Sequence, residues 1–149
     1  ASVCFSLNKH KSGVVLQLTG DHKESIELIW SAQLTDDIID SWKDKKEATE
    51  YAATAVAMLL IDHLFEVGRM VRNIGATDYI LSDFRVDNKN TYPIVYLEIS
   101  GIFQNSKNNT VNQRVKKKRL QVETGIAAAP FIVIVVEFGK PEAKIIKQL

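Results

Sequence analysis

Residues 94–103 read Ile94-Val95-Tyr96-Leu97-Glu98-Ile99-Ser100-Gly101-Ile102-Phe103. A run this rich in β-branched and aromatic residues predicts a strand. Side chains alternate along a strand, so Glu98 and Ser100 share one face while Val95, Leu97 and Ile99 take the other. A glutamate in the middle of such a strand costs burial energy unless a cation or a basic side chain meets it. A metal ion and a neighbouring Lys or Arg are both open as that partner.

Upstream, Thr77–Asp83 reads as another strand, joined to the first through a polar stretch whose Asp87-Asn-Lys-Asn90 suits a turn. Further back, Asp44-Lys-Lys-Glu47 has the form of a capping box. It opens a helix expected to reach about Asn73, with Gly75 as its stop. Ala52, Val56, Leu60, Leu64, Val67, Val71 and Ile74 lie along its apolar stripe, and Asp62, Glu66 and Arg69 form one polar edge. Downstream, Thr110-Val-Asn-Gln113 is a second capping-box pattern, opening a basic helix to about Glu123. Pro130–Phe138 is continuously apolar, the mark of a strand buried on both faces. After a turn at Gly139-Lys-Pro141, Ala143–Leu149 reads as a short edge strand. At the other terminus, Val3–Leu7, Val14–Thr19 and Ser25–Trp30 alternate as strands, with Lys11-Ser12-Gly13 as a hairpin turn. Thr35–Trp42 is compatible with helix through the spacing of Ile38, Ile39 and Trp42.

The expected fold is therefore α/β (α+β): a mixed central sheet with a long helix and a second, basic helix packed on it, preceded by an N-terminal antiparallel meander. The connection from Phe103 through the basic helix to Phe131 suits a parallel crossover. A length of 149 residues fits a single domain, with a β-rich extension at 1–44, a core at 45–138 and a last strand at 139–149.

Composition excludes several classes. At 46% hydrophobic the chain is too apolar for disorder, and it has no uncharged apolar stretch long enough to span a membrane. One cysteine, Cys4, rules out an internal disulfide and a cysteine-based zinc site, and reads as a small buried hydrophobe. With no signal-peptide pattern at Ala1–Cys4, a cytoplasmic protein is expected. The net charge of +1 hides two opposed segments. Residues 21–50 hold nine acids against four lysines, whereas Lys107, Arg114, Lys116, Lys117, Lys118 and Arg119 crowd residues 104–121 with no acid. The basic segment suits phosphate contact and, equally, a solvated helix face.

If the strands at 77–83 and 94–103 are neighbours, the carboxylates of Asp78 and Glu98 converge. Two hard oxygen donors with water suit Mg²⁺, with Mn²⁺ as a substitute. Glu66 offers a third carboxylate, although a Glu beside Asp62 and Arg69 is more often part of a solvated edge. Asp83 rivals Asp78, being nearer to Glu98 in sequence; strand parity puts the two on opposite faces, so only one of them can serve. Trp30 and Trp42 belong to a core or an interface.

A long helix carrying a Glu, an Asp opening a strand, an acidic x-x motif in the next strand, then a basic helix and a buried strand, resembles the PD-(D/E)xK nuclease-like superfamily over about residues 45–138, with Glu66, Asp78 and Glu98-Ile-Ser100 at the motif positions. The resemblance implies a restriction-endonuclease-like fold and divalent-metal cleavage of DNA or RNA. It implies that Glu66, Asp78 and Glu98 hold the metal and that a lysine orients the attacking water. Two departures stand out. Thr77 precedes Asp78 where the family has Pro, and Ser100 replaces the family's Lys. Lys116, Lys117 and Lys118 on the following helix offer a substitute; Lys117 is taken as the catalytic one, and Arg114, Lys116, Lys117 and Lys118 as the nucleic-acid contacts. The alternative is a catalytically inactive interaction protein on the same scaffold, acting through a homodimer or a protein partner, with Ser100 as its main support.

Overall fold

The computed structural model describes residues 1–31, 34–126 and 128–149. In chain order its elements are α1 (Ser2–Leu7), β1 (Val14–Gly20), β2 (Glu24–Leu28), α2 (Asp36–Ser41), α3 (Lys45–Leu64), β3 (Arg69–Arg72), β4 (Tyr79–Arg85), β5 (Thr91–Ile102), α4 (Val111–Gly125), β6 (Phe131–Glu137) and β7 (Glu142–Gln148). The seven strands form one mixed sheet in the order β2-β1-β7-β6-β5-β4-β3. The β1–β7 and β5–β6 pairs are parallel, and the others antiparallel. None of the helices is long and apolar enough to cross a membrane, among the described residues.

Local chemistry explains the two long helices. The Asp44 carboxylate accepts from the backbone N–H of Lys46 and Glu47, which starts α3. Thr110 and Gln113 close a full capping box at α4. On one face of the sheet α3 packs through Ala48, Ala52, Ala53, Ala57 and their larger neighbours. Those small residues bring it close: a Cβ on Gly101 would lie 2.6 Å from the Thr49 carbonyl oxygen. On the other face α4 covers Val133 and Val135 with Val111, Val115 and Val122. Between the two layers all seven residues of β6 are buried, as its unbroken apolar run predicts.

Four expectations are corrected. Residues 3–7 form helix rather than strand, and residues 11–13 are no hairpin turn. Val3, Cys4 and Phe5 are buried consecutively, and Phe5 packs 4.8 Å from the Phe138 ring and 6.0 Å from that of Trp30, a tertiary wedge that five residues of alternation could not reveal. The long helix ends at Leu64, not near Asn73. Gly68 weakens a helix at that point, and Arg69–Arg72 pairs instead with β4 as the sheet edge. The last strand lies inside the sheet between β1 and β6, because β1 returns parallel to it. By the same pairing the β1–β2 hairpin is part of the central sheet and not a separate extension.

Candidate functional site

Strand parity sets the site. Ile99 packs in the core cluster with α3, whereas Ile102 packs with α4, so Glu98 and Ser100 face α4. Tyr79 pairs with Leu97, which puts Asp78 opposite Glu98 at the start of β4. There the Asp78 carboxylate takes over from the ladder: its Oδ2 accepts from the Ile99 N–H at 2.7 Å. The Asp78 backbone N–H still donates to Leu97 O at 3.1 Å. Both bonds hold Asp78 beside Glu98, where its charge acts on the Glu98 carboxyl.

Glu98 is only 2% exposed. Its Oε1 accepts from Lys118 Nζ at 2.5 Å and from Gln121 Nε2 at 3.3 Å. Gln121 is tied in turn to Ala76 O at 3.2 Å. Burial pushes the Glu98 carboxyl above the usual carboxylate range, the Lys118 ammonium pulls it partly back, and the neighbouring Asp78 charge pushes it up again. One turn earlier on α4, Arg114 Nη1 donates to Ser100 Oγ at 3.4 Å. Arg114, Lys118 and Gln121 thus form the inward stripe of α4, at the i, i+4 and i+7 spacing of one helix face.

The remaining candidates separate. Lys116 and Lys117 are exposed, and of the three successive lysines it is Lys118, not the expected Lys117, that bonds to Glu98. Glu66 is not on a helix and does not reach the pair. It bridges to Arg85 at the opposite end of β4, its side chain 76% exposed, with the Arg85 guanidinium 3.7 Å away. Asp83 stands opposite Pro93 in an unbroken register, in the left-handed region at φ 52°, and also at that far end. Of the two, Asp78 is the one that lies beside Glu98.

Asp78 opens onto a cavity of about 390 Å³ that Glu98 does not line. Glu47, Glu50, Tyr51 and Thr54 of α3 form its far wall, with Arg72 and Tyr79 beside Asp78. Glu47 and Glu50 were not expected there, because Glu47 read as a cap alone. Their signal was the polar set at 47, 50 and 54, spaced along one helix face. Gln121 and Arg72 carried no sequence signal. As donors, Asp78 and Glu98 give two hard carboxylates, and no group of three or more His, Cys, Asp or Glu suited to a metal occurs among the described residues. Two carboxylates beside one lysine leave one negative charge unbalanced. That donor set fits Mg²⁺, which commonly keeps several waters and uses one or two carboxylates.

Compared with protein-family models, curated proteins and solved structures, the chain matches none.

Proposed function

We propose that this chain is a divalent-metal-dependent phosphodiesterase acting on nucleic acid, built on a restriction-endonuclease-like core. One observation carries the reading: a buried glutamate, Glu98, meets both a lysine, Lys118, and a second carboxylate, Asp78, which itself opens onto a cavity beside α3. A glutamate tied only for structure has no need of a second acid beside it, since that acid makes its charge harder to hold. The order α3-β3-β4-β5-α4-β6, with a three-strand antiparallel meander and a parallel crossover, supports the fold named by the resemblance.

Asp78 and Glu98 would hold the cation. When bound, it supplies Lewis-acid polarisation of the phosphodiester and lowers the pKa of water. Lys118 holds its ammonium on Glu98, where it orients a water or steadies charge building on a phosphate. Thus α4 supplies the positive charge that Ser100 lacks. Ile99 N–H fixes the Asp78 rotamer, and Gln121 fixes Glu98.

A second reading rests on the closure of Glu98, whose Oε1 is already taken by Lys118 and Gln121. In it the trio is a tie between α4 and β5, and the chain is a non-catalytic interaction protein whose acidic and basic segments meet a partner or a second copy. Thermal melting with Mg²⁺ or Mn²⁺ separates the two. The phosphodiesterase reading expects a higher melting temperature that Glu98→Ala abolishes, with cleavage of DNA or RNA that needs the metal and is lost in Lys118→Ala. No melting shift and no cleavage of either nucleic acid would leave the interaction reading in place.

A further inference from the structure

We propose that Arg114, Asn109 and Ser100 form a seat for one phosphate of a nucleic-acid strand, beside the Asp78–Glu98 pair and distinct from it. Asn109 Oδ1 accepts from Arg114 Nε at 3.2 Å and from Nη2 at 2.8 Å, while Nη1 reaches Ser100 Oγ at 3.4 Å. All these partners are neutral, and none of the ion pairs among the described residues includes Arg114. A guanidinium keeps its charge at any ordinary pH, and its planar fork suits a phosphate. The other cations of α4 differ. Lys118 is engaged by Glu98, Arg119 pairs with Glu123 at 2.7 Å, and Lys116 and Lys117 are exposed. Arg114 alone among these five is both held in place and unneutralised. Ser100 is 4% exposed, and its Oγ accepts from Arg114 Nη1, so the buried strand holds the guanidinium from one side as Asn109 holds it from the other.

The spacing gives the seat its role. Glu98 and Ser100 are two residues apart on β5, about 7 Å. Lys118 and Arg114 are four apart on α4, about 6 Å. Glu98–Lys118 and Ser100–Arg114 are thus two rungs between one strand and one helix. Their separation is of the order of that between successive phosphates along a nucleic-acid strand. A phosphodiester at the first rung brings its neighbour to the second; this placement, unlike the anion seat itself, rests on the phosphodiesterase reading. The seat also accounts for Ser100, because a lysine there would set its ammonium against the Arg114 guanidinium.

The test is the binding of short labelled DNA and RNA strands to the full chain in EDTA, followed by fluorescence anisotropy over a range of salt concentrations. Arg114→Ala should weaken binding about tenfold and lower the slope of log affinity against log salt by about one. Arg114→Lys should keep the slope, because it keeps the charge, while losing affinity with the fork. The DNA and RNA arms identify which backbone the seat accepts. Absence of binding by the parent chain to either strand overturns the seat. So does an unchanged slope in Arg114→Ala, including the case where both variants melt earlier, which is the mark of a purely structural clamp. Slope loss in a protein that cleaves neither strand with Mg²⁺ leaves the seat standing and removes the phosphodiesterase reading.

Discussion

The two ends of β4 make a natural comparison. Each brings acids and a base together, yet the settings differ. At the first end Asp78 is fixed by a backbone N–H and faces a buried Glu98 that Lys118 caps at 2.5 Å. At the other, Glu66 and Arg85 lie 3.7 Å apart with side chains 76% and 56% exposed, and Asp83 sits in the left-handed region opposite Pro93. Water screens the second group and not the first, so similar residue types carry very different energies. An inventory of acids and bases would rank the two ends alike; burial separates them.

The largest break in that comparison should come from Lys118→Ala. It strands the Glu98 charge in the interior and should cost about 3–5 kcal/mol at pH 8, read by urea unfolding. The loss should shrink toward pH 4, where the carboxyl accepts a proton. Asp78→Ala should come next, at about 1–3 kcal/mol, because the Ile99 N–H loses its acceptor. The pH profile then sharpens the picture. The folded chain holds the Glu98 proton more tightly than the unfolded chain, so this group lowers stability as pH rises from the ordinary value of 4.5 through its raised folded value. Melting of Glu98→Gln across that range should lack this fall, and a parallel profile would show that Glu98 is not the group responsible. At the far end the effects should be small. Asp83→Gly, which relieves a left-handed backbone, should be neutral or stabilising by under about 1 kcal/mol. Arg85→Ala should cost less than about 1 kcal/mol. A far-end loss comparable to that of Lys118→Ala would erase the distinction between the two ends.

The legible parts of the molecule were those whose signal is local. The buried β6 run, the Thr110–Gln113 capping box, the Asp44 cap and the Asp87 turn all stand where the residues imply. The pairing of β4 with β5 was legible too, since hairpin-connected strands pair as neighbours and parity then sets the faces. Glu66 was misread because its apparent place on a helix depended on where that helix stopped. Val67, Val71 and Ile74 kept a helical spacing that β3 overrode. The choice of Lys118 over Lys117 was illegible for another reason. Three successive lysines differ only in their angle around α4, and that angle is set by how Val111, Val115 and Val122 meet the sheet.

By itself the sequence determined which segments are helix or strand wherever periodicity and caps agreed, and which face of β5 carries Glu98 and Ser100. Those properties follow from the 3.6- and 2-residue periods of the backbone and need no distant partner. Only the tertiary structure decided that β7 is interior, that α3 stops at Leu64, and that Arg114, Lys118 and Gln121 face the two carboxylates. Each of these depends on contacts between residues far apart in the chain, where pairing and burial outweigh local preference.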